Sequence, residues 1–119
     1  LARWEREGRY YYRAPGGESF PDVNLRIHSF LGSIRNYYRN KPVLVVTHGN
    51  AIWSFRRVIE RMTERDLVAK LEATEFAIPN CSVTWYSYDP ELGRLTLREF
   101  ARVHYRKQDA TNAPAGHHE

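Results

Sequence analysis

The stretch Val43-Leu44-Val45-Val46-Thr47-His48-Gly49-Asn50 constrains this chain more than any other. Four apolar β-formers follow Lys41-Pro42 with no polar break. A continuous apolar run of that length reads as a strand buried on both faces, as in the parallel sheets of α/β domains. The run stops at Thr47-His48-Gly49, and residues at helical spacing resume from Ala51. One histidine therefore stands where a buried strand hands over to a helix. In open α/β sheets ligands bind at that edge, beyond the carboxyl ends of the strands. Gly49 lets backbone come close to a ligand. The helix that follows turns its free N–H groups to the same place, which favours an anion. An imidazole there can donate from its ring nitrogens to a phosphoryl oxygen. His48 is thus the candidate for facing a phosphate-sized anion.

Helical and strand patterns alternate around that run. Ser19 with Asp22 three residues on forms a capping-box pattern, with Pro21 in the first turn. Phe20, Val23, Ile27, Phe30, Leu31, Ile34 and Tyr38 recur at three- and four-residue spacing, so a helix runs to about Arg39, where Asn40-Lys41-Pro42 ends it. A second helix spans roughly Ala51 to Arg61, with Ile52, Phe55, Ile59 and Met62 on one face. Thr63 with Asp66 repeats the capping pattern and opens a short helix to about Leu71. Phe76 to Asn80 reads as a loop. Ser82–Tyr88 and Leu95–Phe100 read as the arms of a hairpin, joined by the turn residues Asp89-Pro90-Glu91-Leu92-Gly93. Leu1 to Glu7 reads as a helix end stopped by Gly8, and Pro15-Gly16-Gly17 as a loop. Helix, buried strand and helix in succession are half of an alternating α/β pattern.

At 119 residues the chain is one domain's worth, able to bury roughly two-thirds of its surface. It opens on Leu1 rather than Met, which fits a cut amino terminus or a position inside a longer chain. No apolar run approaches the ~20 residues of a membrane span, and no signal segment opens the chain. The single cysteine, Cys81, excludes an internal disulfide framework and a cysteine-based zinc site, and fits a reducing cytoplasm. The net charge of +4 suits an anionic partner, but the basic residues are scattered. Residues 106–119 read as a polar, mobile tail after a domain that ends near 105.

Arg13, just before the Pro-Gly-Gly loop, can fork onto a phosphate or a carboxylate. Glu18 lies beside the helix N-cap, where the dipole stabilises a carboxylate, and Ser19 is most simply the cap. His28 reads as a surface or core-edge residue of its helix, His104 shows no partner in the sequence, and His117-His118 resembles a weak metal tract or nothing at all. Trp4, Trp53 and Trp85 read as core residues, and Tyr10, Tyr11 and Tyr12 as packing residues or a pocket wall.

The run Tyr12-Arg13-Ala14-Pro15-Gly16-Gly17-Glu18-Ser19-Phe20-Pro21-Asp22-Val23, then Arg26, then Val43 to Ile52, resembles the histidine phosphatase superfamily over about residues 5 to 90. That superfamily includes cofactor-dependent phosphoglycerate mutases, the fructose bisphosphatase halves of bifunctional sugar kinases and broad-range acid phosphatases. The tyrosine-rich run looks most like the bisphosphatase and acid-phosphatase branches, and His48-Gly49-Asn50 is also similar to the mutases. The resemblance implies a three-layer α/β/α phosphoglycerate mutase-like sandwich. It implies phosphomonoester hydrolysis or phosphomutase chemistry through a phosphohistidine, with no metal and no cofactor. A nucleophilic histidine splits one hard step into two. His48 matches the family's second histidine, which stabilises the phosphoryl group in transit. Arg13, Gly49 and Asn50 fall at substrate-binding positions. This sequence contains no Arg-His-Gly, the motif that carries the family's nucleophile, and Gly16 stands where the bisphosphatase branch often has lysine. The chain therefore resembles the carboxyl-terminal part of such an enzyme, its nucleophile and general acid lying upstream of Leu1. The expected partner is a small phosphorylated substrate, with neither nucleic acid nor membrane. Two other readings remain at this stage: a basic single-strand nucleic-acid module that stacks bases on Tyr10, Tyr11 and Tyr12, and a catalytically inactive regulatory homologue.

Overall fold

The computed structural model describes residues 8, 10–73 and 77–105. Among them the chain forms helices α1 (Phe20–Tyr37), α2 (Gly49–Ile59) and α3 (Glu64–Glu72), then strands β1 (Val83–Asp89) and β2 (Arg94–Arg102). The expected helix at Leu1 to Glu7, Trp4, Phe76 and the 106–119 tail lie outside the described residues.

Both capping boxes form. Ser19 and Thr63 each accept from the backbone N–H three residues on, and Asp22 and Asp66 reach back to the cap N–H. Two of the otherwise unpaired amides at each helix start are thereby satisfied. Ala14-Pro15-Gly16-Gly17 closes as a turn, with Gly17 N–H donating to the Ala14 carbonyl at 2.8 Å. Gly16 takes φ +75° there, a left-handed value that suits glycine at the third position of a type II turn after proline.

The core gathers on α2 and α3. Trp53 is 3% exposed and clusters with Tyr10, Leu67, Leu71 and Ile78, while Phe20, Phe100 and Ala101 pack against them. α1 lies against α2, with Ile27 buried and Phe30 edge-on to Phe55 at 6.0 Å between ring centroids. The apolar stripe of α1 is covered only in part: Phe30 and Tyr38 are exposed. The hairpin is antiparallel with register shifts on either side of Trp85, and the extra residues fall in β2. Such bulges re-aim side chains. Phe100 turns to the core, 5.2 Å from Trp53 between ring centroids, and Trp85 is left exposed, contrary to its expected core role.

The run Val43 to Val46 departs from its expected burial. The sheet contains β1 and β2 alone among the described residues, and the run pairs with neither. Leu44 and Val46 are 87% and 88% exposed, against 44% and 40% for Val43 and Val45. This period of two is that of an extended chain with one row of side chains turned toward the protein and one to solvent. Burial on both faces needs a second layer and neighbouring strands, and the described residues supply neither.

Leu67 is fully buried, and Ser54 is 1% exposed with a hydroxyl that has no hydrogen-bond partner. Leu67→Ala should therefore lower stability by about 2–5 kcal/mol, through lost transfer energy and a cavity. Ser54→Ala should raise it by about 0.5–1 kcal/mol, since it removes an orphaned buried hydroxyl and favours helix. Urea denaturation of the two variants should give midpoints displaced in opposite directions.

Candidate functional site

His48 is the N-cap of α2. Its backbone is extended (φ −132°, ψ 174°), and its carbonyl accepts the first helical hydrogen bond from Ile52 N–H at 3.0 Å. The side chain makes no capping hydrogen bond, and the residue is exposed. Gly49 is buried as the first residue of the helix, and Asn50 is half-buried behind it. The first turn of α2 contains no acidic residue, whereas α1 has Asp22 there and α3 has Glu64 and Asp66. Side-chain carboxylates thus complement the amino ends of two helices, but not the end where His48, Gly49 and Asn50 meet.

Arg13 lies on the loop before α1. Its Nε and Nη2 donate to Asp22 Oδ2 and Oδ1 at 2.8 and 2.6 Å, a two-point pair on one edge of the guanidinium. The same Asp22 Oδ2 accepts from the Ser19 backbone N–H and the Ser19 hydroxyl, each at 2.8 Å. These donors, Arg13 foremost and then the Ser19 amide and hydroxyl, lower the Asp22 carboxyl from an ordinary 3.8 to about 2. The Asp22 carboxylate in turn raises the Arg13 pKa. Glu18 pairs with Arg26 at 3.0 Å, and both side chains are largely exposed.

A cleft of about 500 Å³ runs between α1 and α2, lined by Arg26, Ile27, Phe30, Thr47 and Phe55 among others. A second cavity of about 340 Å³ is bounded by Trp53, Arg56, Lys70, Ala73 and Phe100. Neither is lined by Arg13, His48, Gly49 or Asn50; the first reaches the site only at Thr47. Among the described residues no group of three His, Cys, Asp or Glu could hold a metal. Nor is any described helix long and apolar enough to cross a membrane.

Tyr10 is 6% exposed in the core, and its hydroxyl accepts from Asn24 Nδ2 at 3.1 Å and Arg57 Nε at 3.0 Å. Tyr11 is exposed and donates to Glu64. Tyr10 thus takes the packing role expected of the tyrosines, and Tyr11 does not.

One polar cluster lies outside the sequence-based candidates. Arg56 is 7% exposed and packs its guanidinium over Phe100 at 4.2 Å and Trp53 at 4.9 Å from the ring centroids. It donates to Glu60 at 2.7 and 3.0 Å, and Tyr86 also donates to Glu60. Burial pushes the Glu60 carboxyl up, but the bonds from Arg56 and Tyr86 outweigh it, leaving the pKa below its ordinary value. Burial and the bond to Glu60 push the Tyr86 hydroxyl up. The four-residue spacing of Arg56 and Glu60 was a visible signal. Tyr86 reaches them from the hairpin, and nothing local in the sequence marks that contact. The cluster fastens β1 to α2.

The described helices and hairpin form part of an α/β domain, with a histidine and a glycine at a helix amino terminus. Comparison with known proteins agrees: the profile of the histidine phosphatase superfamily (branch 1) matches residues 1–100. The chain belongs to that superfamily. It is also 44% identical over 68 residues to a 2,3-bisphosphoglycerate-dependent phosphoglycerate mutase of Rhizobium etli. The aligned part is 56% of this chain and 32% of the relative, so the match takes up about a third of the mutase's length. No solved structure matches the chain.

The depressed Asp22 pKa fixes the sign of an acid response. The pairing stabilises the folded chain above the unfolded carboxyl value, near 3.8, and is lost as pH falls through about 2. A carbon-detected NMR titration should show the Asp22 carboxyl ionised at pH 3, with the Ser19 amide losing its protection only below that.

Proposed function

We propose that this chain supplies the second catalytic histidine and part of the substrate site of a phosphoryl-transfer enzyme that works through a phosphohistidine. The observation that carries the reading is the position of His48. It stands exposed at the amino end of α2, inside the matched span, where no acidic residue occupies the first turn. A ring N–H of His48 donates to a phosphoryl oxygen in transit, and the first amides of α2 add partial positive charge beside it. Gly49 brings backbone close, Asn50 offers an amide from the first turn, and Arg13 holds a substrate phosphate. Residues 1–119 contain no Arg-His-Gly, so this reading requires a nucleophile from sequence outside them.

The exposed run before His48 supports the same reading. Covering Leu44 and Val46 is worth about 1.5–3 kcal/mol for each side chain. Sheet strands that paired with Val43 to Val46 would supply that burial and bring further groups to the edge where His48 stands. The substrate class is a small phosphomonoester; the name of the Rhizobium etli relative makes phosphoglycerate a fitting probe. Cys81, the single thiol, suits work in a reducing cytoplasm.

The test compares two proteins. The 119-residue chain alone should not turn over para-nitrophenyl phosphate above buffer. A polypeptide that joins it to an Arg-His-Gly segment of the same gene should turn it over, and His48→Ala there should lower kcat by about 10²–10³-fold. Turnover by the isolated chain that disappears in His48→Ala would mean that His48 is itself the nucleophile, and the proposed division of labour would fall.

A further inference from the structure

A guanidinium has five N–H donors arranged along two usable edges. Asp22 occupies one edge of Arg13, taking Nε and Nη2. The other edge, formed by Nη1 and the second hydrogen of Nη2, is the end of the side chain, and Arg13 is 61% exposed. An end edge presented to solvent can bind a phosphate or carboxylate at two points. Asp22 is itself held, because the Ser19 backbone N–H and hydroxyl both donate to it at the start of α1. Orientation therefore passes from the helix start to the carboxylate, and from the carboxylate to the arginine. Glu18, the other carboxylate that acts on Arg13, is paired with Arg26.

We infer that Asp22 is a positioning residue for anion binding: it clamps one edge of Arg13 so that the opposite edge is offered, already oriented, to the phosphate of a small phosphomonoester. This rests on the reading of Arg13 as a phosphate ligand. Capping alone does not need the arginine, since the box closes through Ser19 and Asp22. Attraction alone does not need the aspartate, whose negative charge works against a bound anion.

That opposition makes the sign of one measurement decisive. In Asp22→Asn the residue 22 N–H still donates to the Ser19 hydroxyl, so the cap persists while the charged clamp is lost. Removing a carboxylate near an anion site should tighten binding if charge alone matters. Loss of positioning should weaken it, by about three- to tenfold for one long side chain set free.

The experiment titrates the 119-residue chain with inorganic phosphate and with glycerol phosphate, following the Arg13 Nε–H resonance by NMR and helix content by circular dichroism. In the wild type the Arg13 signal should be slow to exchange and should shift on titration. Asp22→Asn should weaken binding three- to tenfold with helix content retained. Ser19→Ala, which removes one of the two helix-start donors to Asp22 but leaves the backbone N–H and both bonds to Arg13, should lower the melting temperature and cost less affinity than Asp22→Asn. Arg13→Ala should abolish the response. Unchanged or tighter binding in Asp22→Asn, or an equal loss in Ser19→Ala, overturns the inference while Arg13 keeps its role. No response in the wild type, or an unaltered one in Arg13→Ala, overturns the phosphate reading of Arg13 and the inference with it.

Discussion

What fixes His48 in space is the burial of Trp53. The indole lies just beyond the first turn of α2, and Tyr10, Leu67, Leu71, Ile78 and Phe100 close around it from four other segments. A side chain of that size in a dense core cannot rotate without displacing its neighbours. Arg56 reinforces the arrangement: it stacks on Trp53 and Phe100, and Glu60 and Tyr86 complete its pairing. Helix α2 is therefore held along its length and on two sides. That anchoring also places its amino terminus, with His48 and Gly49.

A buried cation is costly, and here stacking on two rings and two bonds to one carboxylate offset part of that cost. The pair also links elements far apart in sequence. Glu60 ends α2, and Tyr86 belongs to the hairpin, so the sheet is tied to the helix that starts at His48. At the start of α1 Asp22 has an analogous part, with one carboxylate serving the helix cap and an arginine on the preceding loop. In both places one acid collects several donors, and the bonds received keep it ionised.

What the sequence revealed and what it hid divide by range. Ser19–Asp22 and Thr63–Asp66 were legible because a capping box is complete within four residues, and the helix starts fall where those residues put them. The hairpin was legible from its turn chemistry: Asp89 accepts from the amides of Glu91 and Leu92, and Gly93 takes φ +67°. The exposure of Trp85 was not, because it depends on bulges set by pairing across the hairpin. The bond from Tyr86 to Glu60 and the clamp on Arg13 were hidden for a similar reason. The pattern shows a charge, while its partner is chosen by how elements pack. His48 itself was located by the change from strand-forming to helical spacing, and the structure puts it at that change.

The run Val43 to Val46 shows the limit from the other direction. Its composition records the surroundings it is suited to, a layer on each face and a strand on each edge. The described residues meet part of that demand, since Val43 and Val45 are about half as exposed as Leu44 and Val46. Four apolar β-formers whose edges are unpaired among the described residues form a surface that other chains can pair with. Position and burial are therefore linked at this point. The helix side of His48 is anchored through Trp53, while the strand side has one of its two rows of side chains in water. Whatever covers Leu44 and Val46 would also limit the freedom of the two residues between Val46 and the helix start. A sheet that completes this run would thus set the imbedding of Thr47 and His48 from the second side, and the geometry of the imidazole would depend on both anchors together.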